Sequence, residues 1–363
     1  MNSNSGYTLT LVKTSLVLIN FAYINYLLSD PTSENRKKDH IELAFRSQTG
    51  SLENDDRFFY EPLMSAHPDK SNLPINFLGR KLQSPIWISS MTGGTEQAGN
   101  INRLLAQACN EFGLGMGLGS CRKLLYDDQY FDDFNLRPII GRDLPFFANL
   151  GVAQVEKMIE LEEIDKIRHL IEKLKTDGLI IHVNPMQEWL QPEGDRFKNP
   201  PIETIRKFLE LVDFPVIIKE VGQGMGPESI QSLLQLPIAA LDFGAYGGTN
   251  FSKLELLRSE KQRSTLFNDL SYIGHTAEEM VAFVNTAANA LGDKIQCKEI
   301  IVSGGIKNFL DGYYCINKLQ LNSIYAHGSA FLKYAKEGYE ELRVYIESQR
   351  DGLNLCSKYL KVK

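Results

Sequence analysis

From residue 86 onward, short apolar runs alternate with longer segments in which apolar residues recur with helical period. Such alternation is typical of repeated βα units. The apolar runs predict eight strands, at residues 86–91, 113–119, 145–149, 178–184, 215–221, 239–245, 299–303 and 323–327. The intervening segments predict helices at residues 97–111, 152–175, 202–212, 227–236, 277–291, 309–319 and 330–348. The connection after the second strand is ambiguous.

Eight strands, each followed by a crossover, predict an α/β protein built as a (β/α)8 TIM barrel with an N-terminal extension. A doubly wound open sheet is the alternative, and it usually carries G-x-G-x-x-G after its first strand. Here the first strand ends in Met91-Thr92-Gly93-Gly94, and the spaced glycines near residue 115 do not lead into a clear helix. The pattern therefore favours the barrel.

The first 35 residues differ from the rest, because residues 7–28 are rich in large apolar side chains. Lys13, Asn20 and Asn25 interrupt this segment, so it lacks a clean apolar run of about 20 residues, and no signal-peptide cleavage site follows. Three explanations of this segment are open. An interfacial or disordered extension ranks first, and a start codon assigned too far upstream is an equally simple explanation. A membrane anchor ranks last of the three. The predicted organisation is an extension (1–35), an arm and barrel lead-in (36–85), the barrel (86–348) and a C-terminal tail (349–363).

Composition and charge narrow the functional classes. The chain of 363 residues is 43% hydrophobic and 23% charged, as in ordinary globular proteins, and its formal charge is -6. A net acidic chain offers no large basic field for a polyanion, so nucleic acid is not an expected partner. The five cysteines are scattered and form no C-x-x-C pair, which argues against a disulfide framework or a zinc site and suits a cytoplasmic location.

The carboxyl ends of the predicted strands are polar and rich in glycine, and TIM barrels carry their chemistry at these ends. Gly304 and Gly305 follow the seventh strand, and Gly328 and Ser329 follow the eighth. These are the two places where such barrels commonly build a phosphate site from backbone N–H groups. A single glycine is more typical of a tight turn. The pair of loops, together with G-G-T ending at Thr249, favours a phosphorylated cofactor.

The end of the fourth strand concentrates polar side chains, because His182, Asn184, Gln187 and Glu188 lie within seven residues. A lone histidine would more often belong to the core, and a lone glutamate to a solvated loop. Together at a strand end they indicate a binding site. Glu188 is a candidate Mg²⁺ ligand, since that ion needs few protein carboxylates and takes other ligands from water and substrate phosphates.

Lys219 alternates with apolar neighbours on the fifth strand and would point into the barrel. Its ammonium either pairs with Glu220 or another carboxylate, faces negative charge on a ligand, or serves as a Schiff-base lysine, for which nothing nearby argues. Upstream, Arg36, Lys37 and His40 form a basic run. Such a run is usually a solvated face, but this one could also fold over the barrel mouth and neutralise a diphosphate.

Several motifs occur together in one order: R-K-x-x-H at 36–40, M-T-G-G at 91–94, H-x-N-x-x-Q-E at 182–188, K-E-x-G at 219–222, G-G-T at 247–249 and S-G-G-I at 303–306. With these motifs the chain resembles the type 2, FMN-dependent isopentenyl-diphosphate isomerases. The resemblance covers about residues 34 to 345. H-x-N-x-x-Q-E and R-K-x-x-H are its most specific parts, because other FMN barrels share the glycine loops.

This resemblance implies a cytoplasmic homo-oligomer, a tetramer or octamer, that acts in isoprenoid biosynthesis. It would interconvert isopentenyl diphosphate and dimethylallyl diphosphate by a 1,3-allylic proton shift, with FMN reduced by NADPH as acid and base and with Mg²⁺ on the diphosphate. The residues expected to contact FMN are Ser90, Met91, Thr92, Ser120, Asn149, Lys219, Thr249, Gly305, Ile306, Lys307, Gly328 and Ser329.

The resemblance also implies roles for the remaining candidates. Substrate binding is expected of Arg36, Lys37, His40 and Gln187, and catalytic roles of Gln187, His182, Asn184 and Lys219, with Glu188 on Mg²⁺. Two departures stand out. Lys307 replaces the usual arginine, which keeps the charge but loses the bidentate fork, and residues 269–276 lack the expected Trp-Gly-Ile-Pro-Thr pattern.

Two other functional classes stay open. An FMN barrel that oxidises a 2-hydroxy acid would share the glycine loops but would need a late His-Gly-Gly-Arg run, which this sequence lacks. A non-catalytic protein that binds flavin or prenyl diphosphate would keep the pocket and lose Gln187 or Glu188, and both are present.

Overall fold

The computed structural model describes residues 33–69, 73–89 and 96–363, and the chain divides into two compact units, Met1–Asp56 and Arg57–Lys363. In the first unit the helix α1, Ser33–Leu43, carries Arg36, Lys37 and His40, all of them exposed. The apolar segment at residues 7–28 lies outside the described residues. No helix in the described ranges combines the length and the apolar character needed to cross a membrane.

The second unit contains a closed barrel of eight parallel strands, which confirms the predicted (β/α)8 fold. Around the barrel the strands pair in the order β10-β11-β4-β5-β6-β7-β8-β9. Their bounds are β4 Ile86–Ile88, β5 Gly115–Gly117, β6 Phe146–Gly151, β7 Gly178–Val183, β8 Val216–Glu220, β9 Ala240–Asp242, β10 Glu299–Ser303 and β11 Asn322–His327. Each coincides with a predicted strand.

Helices cover the outside of the barrel. They are α2 Glu96–Phe112, α3 Phe131–Phe134, α4 Arg137–Ile140, α5 Val152–Glu160, α6 Ile164–Leu174, α7 Pro185–Leu190, α8 Pro201–Leu211, α9 Pro227–Leu234, α10 Phe251–Arg258, α11 Lys261–Phe267, α12 Ala277–Leu291, α13 Phe309–Lys318, α14 Ser329–Glu337 and α15 Tyr339–Tyr359. Because helices cover one face and the barrel interior the other, the strands are continuous apolar runs rather than alternating ones.

Two predicted helices are each divided into two. The segment predicted at 152–175 breaks between α5 and α6, where Glu162 has a φ of +58°, and the segment at 330–348 breaks at Gly338, where φ is +146°. Neither conformation continues a helix. The ambiguous connection after the second strand contains a 3-10 turn, Arg122–Leu125, and the short helices α3 and α4 instead of one long crossover helix.

Two small antiparallel sheets flank the barrel. The strand β1, Phe58–Tyr60, pairs with β12, Leu360–Val362, so the predicted C-terminal tail consists of the second half of α15 and this strand. The hairpin β2, Ile75–Phe77, and β3, Arg80–Leu82, lies at the amino ends of the barrel strands. There the ring of Phe77 packs 6.4 Å from that of Trp87, which belongs to the first barrel strand.

A network of ionic groups around the buried Arg137 stabilises the amino end of the barrel. Arg137 donates hydrogen bonds to the carbonyls of Lys175, Gly141 and Leu144 and to the Asp177 carboxylate. Asp177 also accepts from Arg80 and from the backbone N–H of Phe146. This network joins the segments before strands β6 and β7, and each named charge in it has a partner.

Candidate functional site

A cavity of about 470 Å³ lies at the carboxyl ends of the barrel strands. It brings together many residues that the sequence placed in one site, from seven of the eight strand ends. The predicted residues that line it are Ser120, Asn149, His182, Gln187, Lys219, Thr249, Gly305, Ile306, Gly328 and Ser329. The position agrees with the rule that the chemistry of such barrels sits at this end.

One wall of the cavity is a backbone cradle suited to an anion. Gly304 and Gly305 have φ values of +83° and +72°, and a Cβ on Gly305 would come within 2.8 Å of the carbonyl oxygen of Tyr246. Beside them, after the neighbouring strand β11, the helix α14 begins at Ser329, so its first N–H groups lie at the cavity. A glycine loop beside a helix N-terminus is an established arrangement for binding phosphate. The residues therefore fit the phosphate end of a nucleotide cofactor.

A cation forms part of the cavity floor. Lys219 ends strand β8, and its Nζ donates a hydrogen bond of 2.7 Å to the carbonyl of Glu220. The carboxylate of Glu220 does not pair with this ammonium, because it accepts from the backbone N–H groups of Gly222, Gln223 and Gly224. This arrangement leaves the ammonium available to an anionic group in the cavity.

His182 is held as a neutral hydrogen-bonding group. Asn149 donates through Nδ2 to the carbonyl of Leu118, so its amide oxygen faces the imidazole, 2.7 Å from Nδ1. Nδ1 therefore carries the proton and donates it to Asn149. Burial, aided by the positive charge of Lys219, lowers the pKa of His182 to about 4. The imidazole is thus uncharged at neutral pH.

Asn184 and Glu188 lie behind the wall that carries Gln187. The Asn184 amide donates to Gln187 Oε1 and to Glu188 Oε1, each at 3.0 Å, and the other carboxylate oxygen of Glu188 accepts from the backbone N–H of Asp195 at 2.7 Å. Asn184 Oδ1 is buried and has no hydrogen-bond partner among the described residues. One carboxylate beside an unpartnered amide oxygen is a donor set compatible with Mg²⁺, which prefers oxygen ligands and keeps several waters.

Glu255 is a site residue that the sequence analysis missed. It lies on α10, is only 3% exposed, and its Oε1 accepts from Gln187 Nε2 at 3.3 Å. Arg258 donates to its other oxygen at 2.6 Å and to Glu193 at 3.0 Å. The sequence shows Glu255 as one charge among several on a helix, and only the fold brings it to Gln187. The nearest signal in the sequence was the G-G-T motif at residues 247–249, just before this helix.

Other predicted residues lie elsewhere. Lys307 is exposed and does not line the cavity, although its backbone N–H binds Asp311. Arg36, Lys37 and His40 belong to the first unit, and their predicted contact with substrate stays a prediction. Ser90, Met91 and Thr92 lie outside the described residues.

A metal centre built from protein side chains alone and a cysteine nucleophile are two further kinds of site. The described part of the chain contains no group of three or more His, Cys, Asp and Glu side chains arranged to hold a metal ion. Cys121, next to Ser120, is buried, and burial raises its pKa to about 12. A thiol with so high a pKa is a poor nucleophile.

Comparison with known proteins identifies relatives over most of the chain. The isopentenyl-diphosphate delta-isomerase of Rickettsia peacockii (strain Rustic) is 34% identical over 336 residues, which cover 89% of this chain and 93% of that protein. The protein of the same name from Rickettsia felis is 33% identical, with coverages of 89% and 92%. The one from Rickettsia typhi is 32% identical over 297 residues, with coverages of 79% and 82%. No protein-family model matches the chain.

Solved structures with the same fold are flavin enzymes of low sequence identity. A flavocytochrome b2 mutant with pyruvate bound superposes with a TM-score of 0.58 at 14% identity, covering 82% of this chain and 71% of that one. A mandelate oxidase mutant with an FMN adduct gives 0.51 at 15% identity, covering 85% and 88%. At these identities the likeness supports the barrel, whereas the sequence relatives establish the family. The chain belongs to the isopentenyl-diphosphate delta-isomerase family of enzymes.

Proposed function

We propose that this chain is the flavin-dependent, type 2 form of the enzyme and that it interconverts isopentenyl diphosphate and dimethylallyl diphosphate. The observation that carries the proposal is the cavity at the barrel mouth, in which an anion cradle and the Lys219 ammonium share the space with Gln187 and His182. The relatives named for this reaction and the resemblance in motif order agree with it. In addition, the structural neighbours include a barrel with an FMN adduct.

The cavity walls suit FMN in two parts. The backbone at Gly305, Ile306, Gly328 and Ser329 would hold its phosphate, and the far end of the flavin would lie near Lys219. Reduced FMN, formed with NADPH, would supply the acid–base group that an unactivated alkene requires and that ordinary side chains match poorly. The ammonium of Lys219 would favour a negative charge on the ring system. The protein thus binds, orients and tunes a cofactor that carries out the difficult chemistry.

The polar wall would orient the prenyl group. Gln187 is fixed between Asn184 and Glu255, so its amide has a defined direction at the cavity surface. The neutral imidazole of His182 can hydrogen-bond to the substrate without adding charge to the site. By orienting the prenyl group, these side chains would give the proton shift the advantage of an effectively intramolecular step.

Two sets of residues would hold the diphosphate. Arg36, Lys37 and His40 would bind it, since guanidinium and ammonium groups are the usual partners of phosphate. Glu188 would hold Mg²⁺, with Asn184 Oδ1 as a further oxygen ligand, and the ion would supply positive charge to the diphosphate. The homo-oligomeric state and the cytoplasmic location are part of the same proposal and rest on the family resemblance.

An anaerobic assay tests the reaction. The purified protein is incubated with isopentenyl diphosphate, FMN, Mg²⁺ and NADPH, with an FMN-free control, and dimethylallyl diphosphate is measured. We expect flavin-dependent product without matching loss of NADPH. Product formed equally well without FMN would refute the flavin mechanism. A yellow protein that turns over a 2-hydroxy acid instead would indicate the oxidase, and one with no turnover would indicate a binding protein.

A further inference from the structure

The cavity floor contains a buried carboxylate that the proposed reaction does not use. Strands β8, β9 and β10 are neighbours in the barrel, and Lys219 of β8 is the ladder partner of Asp242 of β9. Asp242 also pairs with Ile301, two residues before Ser303. Lys219 and Ser303 line the cavity, whereas Asp242 is completely buried. The register of three strands therefore places an ammonium, a carboxylate and a hydroxyl side by side at the floor.

Asp242 is the counter-charge of Lys219. Its Oδ1 lies 3.9 Å from Nζ, within the range of an ion pair but beyond a hydrogen bond. The charge of Glu220, adjacent in sequence, also acts on Lys219, but its Oε2 is turned to three backbone N–H groups. His182, paired with Lys219 across β7 and β8, is neutral and offsets no charge. The ammonium is thus balanced from below by Asp242 and open to the cavity above.

Ser303 fixes the orientation of this carboxylate. Its Oγ accepts from the backbone N–H of Gly244 at 2.8 Å and donates to Asp242 Oδ1. The other oxygen, Oδ2, has no hydrogen-bond partner in the described ranges. Burial raises the pKa of Asp242, and Lys219 and Ser303 oppose that rise. A buried carboxylate is costly without a cation nearby, so the ammonium and the carboxylate stabilise each other.

We propose that Asp242 is a positioning residue that sets, through Lys219, how strongly the cavity floor attracts negative charge on a bound flavin. The inference rests on the proposed FMN function. The carboxylate holds Nζ at the floor and offsets part of its positive potential, so the site presents less than one full charge to the cofactor. The balance between oxidised and anionic reduced FMN would then depend on a residue that touches neither the cofactor nor the substrate.

The midpoint potential of bound FMN at pH 7 tests this role. In Asp242→Asn the ammonium loses its counter-charge, so reduced FMN should gain at least about tenfold in affinity relative to oxidised FMN. For a two-electron couple this corresponds to a potential about 30 mV more positive. Ser303→Ala should shift the potential the other way and by less, because an Oδ1 without its hydroxyl donor offsets the ammonium more strongly.

Two further variants separate the possible causes. Both shifts should be smaller in a Lys219→Met background, because the part of the effect that depends on the position of the ammonium is then absent. Asp351→Asn, which removes the same charge from an exposed position on α15, should leave the potential unchanged. If Asp242→Asn does not fold, the sign of the shift in midpoint potential in Ser303→Ala decides whether the inference holds.

An unchanged potential in both Asp242→Asn and Ser303→Ala would overturn the inference, and so would equal shifts with and without Lys219. A wild-type protein that binds no FMN would instead overturn the proposed function beneath it. The two failures are therefore distinguishable.

Discussion

The two ends of the barrel enclose cavities of similar volume, about 470 Å³ at the carboxyl ends of the strands and about 450 Å³ at the amino ends. They differ in how their polar groups are satisfied. At the amino end, Asp177 accepts from Arg80, Arg137 and Phe146, and Glu299 accepts from the N–H of Leu78. At the carboxyl end, buried oxygens of three residues lack partners among the described residues; they belong to Ser89, Asn184 and Asp242.

Cavity volume therefore does not identify the site in this protein. Buried polar groups in folded proteins are nearly always hydrogen-bonded, and an unpaired one is costly. The charged groups of the amino end follow this rule and contribute stability, although Trp87 Nε1 and Thr176 Oγ1 there are buried without a partner among the described residues. The carboxyl end departs from it where a ligand could supply the missing partners. Changes at the amino end should therefore affect mainly stability, and changes at the carboxyl end should affect binding.

The largest expected effect is a loss of stability on acidification. Burial lowers the pKa of both His182 and His327 to about 4, from an ordinary value near 6.5. Between these values the unfolded chain binds protons that the folded chain does not, so stability falls as the pH drops from about 6.5 to about 4. We expect a loss of roughly 2 to 3 kcal/mol for each histidine. Urea denaturation at pH 7, 5.5 and 4 measures it.

Matched variants assign this acid sensitivity. His327 packs against Phe331 and Tyr345, so His327→Phe should remove about half of the pH dependence assigned to the two histidines. His169→Gln changes an exposed histidine and should leave the dependence as it is. A pH dependence that survives in both His327→Phe and His182→Gln would contradict the assignment.

The next largest effect is expected at the amino end. Arg137→Met removes one of the two guanidinium groups that Asp177 binds, and four hydrogen bonds with it. We expect a loss of about 3 kcal/mol in the free energy of unfolding, because the partner charge is left partly buried. FMN affinity and turnover of the folded protein should change little. A variant of normal stability but impaired turnover would reverse the division between the two ends.

The smallest effect concerns Mg²⁺. Glu188→Gln keeps the shape of the side chain and removes its charge, so the Mg²⁺ concentration for half-maximal activity should rise about tenfold. The assay is a titration of activity with MgCl2. Glu193→Gln is the matched control, since Glu193 lies five residues further along the chain, is exposed and binds Arg258. An unchanged Mg²⁺ response of Glu188→Gln would remove this residue from the metal site.

The barrel was predictable because its strands are buried on both faces. Runs such as Leu179–Ile181 of β7 and Ile300–Val302 of β10 are apolar without alternation, and repetition along the chain gave their number and order. The broken helices were not predictable in the same way. Glu162 adopts a positive φ without being a glycine, so the amphipathic pattern continues through the break.

Site residues near the ends of strands could be predicted from the sequence. Contacts between residues that only the tertiary fold brings together could not. His182, Asn149 and Lys219 end neighbouring strands, so the topology alone brings them together. The sequence left the partner of Lys219 open between Glu220, another carboxylate and a ligand. The structure identifies Asp242, which lies 23 positions along the chain, through the register of two strands. Registers of this kind are set by packing and carry no local sequence signal.

The barrel also constrains the order in which the protein can form. The barrel closes where β4, Ile86–Ile88, pairs with β11, Asn322–His327. Outside the barrel, β1 pairs with β12 in a small antiparallel sheet. Both contacts link early and late parts of the chain, and such long loops must be closed before their contacts contribute. During synthesis the strands β4 to β10 would therefore remain an open sheet with two unpaired edges, at β4 and at β10. Until β11 arrives, the nascent chain presents those edges to other chains, which makes late synthesis the period of greatest risk of aggregation.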